Sequence, residues 1–296
     1  MRYILAISGG VDSVVLLNLV ASSQEFRVEH FGKAIFPDDF IVAHFDHGIR
    51  KGDSKKDADF VSNLSKSYNV KFELGLGYLD KDSSEEFARL KRYNFLNNLA
   101  IKYKAIIVTA HHKDDLIETA IINLIRGTGW RGLASMSATN ILRPLLDVNK
   151  IDLIRYAIDN NLNWHDDITN YSHSYLRNRI RQQLEIAPYD KKNQFYKLIQ
   201  KQLKLRGQID LENKAISPLA SKKCNKDIVL DRYFFTMVDN ALALELLNYL
   251  TNNLLTYPQL NQVLLFIKLA GVHKKLNYKN LALVTTKLSV RLTFLC

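Results

Sequence analysis

Near the start of the chain, Ser8-Gly9-Gly10-Val11-Asp12-Ser13 sets two glycines, two hydroxyls and a carboxylate inside an apolar run. Glycines let a backbone bend and come close to a ligand, and the free N–H groups of a helix start favour phosphate. The Ser8 and Ser13 hydroxyls add donors for phosphate oxygens. Asp12 is the odd member, because a carboxylate beside phosphate repels it unless a cation lies between them, and Mg²⁺ suits both. The stretch therefore reads as a phosphate loop with a metal ligand built in. It is neither a Walker A loop, which needs G-x-x-x-x-G-K-[ST], nor a G-x-G-x-x-G fingerprint. A secretory signal core has no use for Asp12 or for a helix-breaking Gly-Gly pair.

A second cluster comprises His111, His112, Asp114, Asp115 and Glu118. Asp114 and Glu118, four apart, share a helix face. Such a set suits Mg²⁺, a transition metal such as zinc, or the ammonium of an amine substrate. Helix capping alone explains Asp114 and Asp115 but not the paired histidines. His44, Asp46 and His47 form a third group. Each histidine taken singly is more often structural, whereas their grouping at a ligand edge favours binding. Arg89 and Arg92, three apart, share a helix face and either clamp phosphate or merely solvate that face. Trp130 and Trp164 read as packing residues.

The elements that must position these groups follow from the apolar pattern. Residues 2–7, 40–45, 70–75 and 105–110 read as strands, and 12–22, 54–68 and 83–102 as helices, the last opened by Ser83 or Ser84. This alternation predicts an α/β fold, a doubly wound parallel sheet with helices on both faces. Ligands in such sheets sit at the carboxyl ends of the strands, where all three clusters fall. Beyond about residue 145 helices take over, at 149–160, 175–186 and 190–206, with Pro188 as a break. Residues 207–227 turn polar around Ser217-Pro218 and read as a linker. From 228, helical patterns at 237–254 and 258–270 precede strand-like runs at 281–285 and 288–295. The expected organisation is a catalytic domain over 1–206 with a helical extension from about 149, a linker over 207–227, and a small α+β domain over 228–296.

A chain of 296 residues that is 47% apolar can bury a sizeable core. Its net charge of +11 suggests a polyanionic partner. The segment from Arg177 to Arg206 concentrates nine basic residues against two acidic ones, which is either a solvated helix face or a grip on that partner. Only Cys224 and Cys296 are present, so a disulfide framework and Cys-x-x-Cys metal sites are not expected, and a reducing, cytoplasmic home is. No apolar run is long enough to cross a membrane.

Ser-Gly-Gly-x-Asp-Ser after a first strand resembles the PP-loop of the ATP pyrophosphatases, whose fold is that of the adenine nucleotide alpha hydrolases. Further segments narrow the likeness: Ala43 to Arg50, Ser84 to Tyr93, Ala110 to Thr119, Arg126-Gly127-Thr128-Gly129, Arg143-Pro144-Leu145-Leu146, Asp167-Ile168-Thr169-Asn170 and Arg177-Asn178-Arg179-Ile180-Arg181. In this order, over residues 1 to about 185, they closely resemble the tRNA(Ile)-lysidine synthetases.

The resemblance implies ATP-dependent adenylation of the wobble cytidine of an isoleucine tRNA with a CAU anticodon. Free L-lysine then displaces AMP to leave lysidine. It implies ATP contacts at Ser8, Gly9, Gly10, Val11, Asp12, Ser13, His44, Asp46, His111 and Arg126. Mg²⁺ is expected on Asp12, with Asp115 as a second ligand. Asp114 and Glu118 are expected to hold the lysine ammonium or to act as base. Arg179 and Arg181 are expected at the developing charge or on tRNA phosphate. Arg89, Arg92, Arg177, Lys191, Lys192, Lys197 and Lys201 are expected to grip tRNA through its backbone. The tail over 228–296, opening with Ile228-Val229-Leu230, loosely resembles the small appended tRNA-binding domain of the family. Longer members carry a further C-terminal domain for which this chain has no room, and tRNA discrimination is the property that difference touches. A homodimer is left open. The rivals are a PP-loop tRNA thiolase, which too few cysteines disfavour, a small-molecule amide ligase of the NAD-synthetase type, and an inactive RNA-binding module.

Overall fold

The computed structural model describes residues 1–32, 36–48, 53–77, 85–136, 140–165, 176–225, 227–278 and 280–295. Ile49-Arg50, Ser83, Ser84, Asp167-Ile168-Thr169-Asn170 and Cys296 lie outside them. The chain divides into two units, Met1–Leu203 and Lys204–Cys296.

In the first unit, β1 (Arg2–Ala6) leads into α1 (Val11–Ser22), α2 (Gln24–Phe31) and β2 (Phe40–Asp46). Next come α3 (Asp53–Ser67), β3 (Lys71–Leu76), α4 (Glu85–Tyr103) and β4 (Ala105–Thr109). After these come α5 (Lys113–Ile125), α6 (Trp130–Leu133), the two-residue β5 (Ile141–Leu142), α7 (Lys150–Asp159), α8 (Leu176–Ile186) and the long α9 (Tyr189–Ala220), whose residues from Lys204 belong to the second unit. The strands are parallel and lie in the order β3-β2-β1-β4-β5.

Strand alternation sorts the side chains onto two covered faces. Tyr3, Leu5 and Ile7 pack with Val15 and Leu16 of α1 and with Leu153 and Ala157 of α7. Ile4, Ile41 and Ile107 pack on the opposite face with Leu96 and Leu99 of α4. This is the doubly wound sheet expected. From β1 the chain winds outward through β2 and β3, then returns to β4 on the other side of β1. The carboxyl ends of β1 and β4 therefore flank the switch point where open α/β sheets bind ligands.

The second unit holds a five-stranded antiparallel sheet, β6 (Ser221–Cys224), β7 (Asp227–Asp231), β8 (Lys275–Tyr278), β9 (Leu281–Thr285) and β10 (Ser289–Phe294), in the order β6-β7-β10-β9-β8. With it are α10 (Arg232–Met237), α11 (Asn240–Leu250) and α12 (Tyr257–Leu269), whose Phe235, Leu247 and Val263 share a core with Leu230, Leu283, Val290 and Leu292.

The expected linker over 207–227 is instead regular structure: α9 continues to Ala220 and β6 follows directly. Pro218 lacks the N–H that would close a helical bond on the Lys214 carbonyl. The Ser217 hydroxyl donates to that same carbonyl at 3.1 Å, so the Ser-Pro pair is accommodated within the helix.

Candidate active site

The turn between β1 and α1 is shaped by its own hydroxyls. Gly9 has φ +98°, a conformation that side chains rarely adopt. The N–H groups of Ser8 and Gly9 both donate to Ser13 Oγ at 3.2 Å, and that of Gly10 donates to Ser8 Oγ at 3.3 Å. Three successive N–H groups thus turn inward, as in the backbone concavities that hold anions. Ser13 Oγ donates in turn to the Gly10 carbonyl at 2.8 Å, which ties the loop to the first turn of α1. The His165 N–H holds the Gly9 carbonyl at 3.0 Å, and the His165 ring, stacked on Phe60, bonds Asp57 at 2.7 Å.

A cleft of about 150 Å³ opens at this loop, lined among others by Ser8, Asp12, Ser13, Arg92, His111 and Asp115. The structure thus brings together the phosphate loop, one residue of the α4 pair and two of the β4–α5 group. Arg92, expected on tRNA, faces this cleft, while the Arg89 guanidinium lies over the neighbouring Tyr93 ring at 4.9 Å. Burial pushes the His111 imidazole down to about 4, and Arg143, Arg92 and Arg89 push it the same way. A neutral His111 bonds Thr109 Oγ1 through Nδ1 at 2.7 Å.

His112 caps α5, and its Nε2 lies 3.6 Å from Asp12 Oδ2 and 3.3 Å from Asp115 Oδ2. Asp115 also accepts the His112 N–H at 3.0 Å. Burial alone would raise the Asp115 carboxyl, yet His112, His111, that N–H and Arg181 together hold it below the usual carboxylate range. Among the described residues no group of three or more His, Cys, Asp or Glu side chains is placed to hold a metal, so the His-His-x-Asp-Asp run does not form a zinc-type cage. Asp12 and Asp115, flanking one imidazole in one cleft, instead fit the habit of Mg²⁺, which takes one or two carboxylates and completes its shell with phosphate and water.

Other expected residues do different work. Glu118 is 2% exposed, and both its oxygens are taken, one by Arg177 Nε and the other by Arg181 Nε at 2.6 Å. It is therefore not available to an incoming ammonium, and Arg177 is an internal partner rather than an open phosphate contact. The pair docks α8 on α5 and brings Arg181 NH2 to 3.5 Å from Asp115 Oδ1. Burial would weaken the Arg181 charge, but Glu118 reinforces it. Asp114 Oδ2 accepts the backbone N–H of Lys150 at 3.1 Å, a helix cap supplied across 36 residues. His44 is buried and its Nδ1 donates to the Ile7 carbonyl at 2.9 Å, which pins β2 to β1. Asp46 accepts the Gly48 N–H at 2.7 Å in the turn that follows. Neither lines the cleft.

Arg126 is exposed at the C-terminal end of α5, roughly 20 Å from the helix start at 1.5 Å per residue. Arg179 is exposed and lines a separate groove with Ile121, Ile180 and Leu184. Lys191, Lys197 and Lys201 are exposed along α9, and Lys192 is half-buried.

Two lysines escaped the sequence reading. Lys113 is buried, donates to Asn193 Oδ1 at 3.1 Å and lies over the Tyr196 ring at 4.3 Å. Lys150, the first residue of α7, places Nζ 2.6 Å and 2.7 Å from the two oxygens of Asp12. A cation is disfavoured at the positive end of a helix unless anions lie close by, and that was the signal available at Lys150.

Comparisons with known proteins give the chain's family. The PP-loop domain family matches residues 1–187. The chain is 42% identical over 192 residues to a tRNA(Ile)-lysidine synthase of Thermosipho africanus (strain TCF52B), covering 62% of this chain and 43% of that protein. It is 30% identical over 265 residues to a tRNA(Ile)-lysidine synthase of Rickettsia akari (strain Hartford), covering 83% and 57%. The match thus spans roughly half the length of these relatives. Among solved structures, the U34-tRNA thiolase NcsA from Methanococcus maripaludis aligns with a TM-score of 0.55 at 20% identity, over 69% of this chain and 73% of that one, a likeness of fold.

Proposed function

The chain belongs to the PP-loop family, and from that premise we propose that it carries out the reaction of the tRNA(Ile)-lysidine synthases. In that reaction the wobble cytidine of isoleucine tRNA with a CAU anticodon is adenylated, and free L-lysine displaces AMP. The observation that carries the reading is the meeting of the Ser8–Ser13 loop, Asp12, Asp115 and Arg92 in one cleft at the switch point of the sheet.

ATP would place its leaving pyrophosphate against the N–H groups of residues 8–10, its oxygens taking over the donors that the Ser8 and Ser13 hydroxyls otherwise hold. Asp12 and Asp115 would hold Mg²⁺, which when bound neutralises phosphate charge. Arg92 supplies a cation to the same cleft, and a charge placed there is worth most where water is excluded. Arg181, oriented by Glu118, steadies Asp115 from the opposite side. Asp114 remains the candidate for the lysine ammonium, since Glu118 is committed to its two arginines. The exposed Lys191, Lys197 and Lys201 offer α9 as a sequence-independent contact for tRNA backbone. A cytoplasmic location accords with these substrates, and no helix of the described residues is long and apolar enough to cross a membrane.

The test is transfer of radiolabelled lysine to purified tRNA with ATP and Mg²⁺. Labelling of isoleucine tRNA with a CAU anticodon, and none of elongator methionine tRNA, is expected. ATP-dependent activation with no lysine transfer would move the second substrate to another amine or to sulfur.

A further inference from the structure

Lys150 occupies the oxygens that a metal on Asp12 would need. Its ammonium lies at 2.6 Å and 2.7 Å from the two of them, so a divalent cation on either oxygen would meet that positive charge at close range while the pair holds. The pair is built into the framework. The Lys150 N–H is fixed by Asp114 Oδ2, and Leu153 and Ala157 of α7 share a core with Val15 and Leu16 of α1, the helix that carries Asp12. Only the four-carbon stem of the lysine is free to swing, and its side chain is 36% exposed. A lysine at the first position of a helix faces the positive end of the macrodipole, so Asp12 must compensate it.

We propose that Lys150 is a competing counter-ion: it holds Asp12 until a divalent cation takes the carboxylate, and the displaced ammonium then pairs with a phosphate oxygen of the incoming nucleotide. One charge thereby changes partner while the local balance is kept. Metal without nucleotide has to evict the ammonium with nothing to receive it, whereas metal and triphosphate together give it a new partner. Lys150 thus couples metal loading to nucleotide loading.

This rests on the reading of the Asp12 loop as the site of Mg·ATP, and it is independent of the second substrate. The experiment uses the full chain without tRNA or lysine. Mn²⁺ affinity is measured from the free-ion resonance in electron paramagnetic resonance, and Mg·ATP affinity by calorimetry. Lys150→Met is expected to bind Mn²⁺ about tenfold more tightly and Mg·ATP about tenfold more weakly, the scale of one modest charge contact. Lys150→Arg, which keeps the charge, should leave both within about threefold of the unmodified chain. In Asp12→Asn/Lys150→Met the Mn²⁺ gain should vanish. Unchanged or weaker Mn²⁺ binding in Lys150→Met would overturn the proposal, as would unchanged Mg·ATP affinity. If Lys150→Met fails to fold, wild-type values for both ligands in Lys150→Gln would overturn it equally. A chain that binds no Mg·ATP before any substitution would overturn the reading of the loop itself.

Discussion

The two units solve the burial of polar groups in opposite ways. In the second, the buried polar side chains among the described residues are neutral: Asn213, Asn248, Thr251 and Thr285. Three of them donate to local acceptors, Thr251 to the Leu247 carbonyl, Thr285 to the Gly271 carbonyl and Asn248 to Asn253 Oδ1. In the first, the buried set includes His44, His112, Lys113 and Glu118. Burying ionisable groups costs stability unless they are paired. Here each sits at or beside the carboxyl end of β1, β2 or β4, or on α5 leading away from β4. Among the described residues the second unit buries only neutral polar side chains, while the first buries ionisable ones around the candidate site.

Substitutions should separate these two economies. The largest effect on stability is expected from Phe235→Ala, which empties a fully buried site in the core of the second unit. It should cost about 4 kcal/mol in urea unfolding, with Mg·ATP affinity unchanged. A parallel loss of nucleotide binding would show that the units are not separable in this way. Asp12→Asn should do the converse. ATP-dependent turnover should drop about 10²- to 10³-fold, the scale for losing a preorganised electrostatic group, while stability falls by no more than about 1 kcal/mol, the scale of the partly exposed pair with Lys150.

Glu118→Ala lies between the two. It leaves Arg177 and Arg181 without their shared carboxylate and should cost about 3 kcal/mol, the low end for a broken buried pair because both arginines are partly exposed. Retention of full stability would mean that the arginines find solvent readily and that α8 is not docked by charge.

The smallest effect is a slope. Burial lowers the His44 imidazole from its ordinary 6.5, against the pull of the Ile7 carbonyl, Asp46 and Asp57. Between the lowered folded value and 6.5 the unfolded chain binds the extra proton, so the His44 contribution is fully present above about pH 6.5 and is lost as pH falls through the folded value. His44→Gln should flatten the dependence of the urea midpoint on pH below 6.5, and an unchanged slope would assign it to other groups.

Much of the first unit is legible in its sequence because its signals are local. The β1 run, the glycine pair and the hydroxyl spacing of the loop lie within a dozen residues, and the alternation of Tyr3, Ile4, Leu5 and Ile7 announces a strand covered on both faces. The extent of α9 is not legible, because Ser217-Pro218 reads as a break and the compensating hydroxyl bond is visible only in three dimensions. Side-chain partners are hidden for the same reason. Glu118 resembles an open carboxylate until Arg177 and Arg181 arrive from 59 and 63 residues away, and one oxygen of Asp114 is taken by the Lys150 N–H from 36 residues away. Lys150 meets Asp12 across 138 residues, with no periodicity to signal it. Arg126 follows the second cluster in sequence but is carried to the far end of α5 by the helix itself.

The proposed activity stands or falls on how ATP is cut. The decisive measurement is the identity and amount of nucleotide products when the full chain is given ATP, Mg²⁺, L-lysine and isoleucine tRNA with a CAU anticodon. AMP and pyrophosphate in equal amounts, matched one for one by lysine on the tRNA and abolished by Asp12→Asn, is the expected result. ADP and orthophosphate as products would contradict a pyrophosphate-releasing role for the Ser8–Ser13 loop.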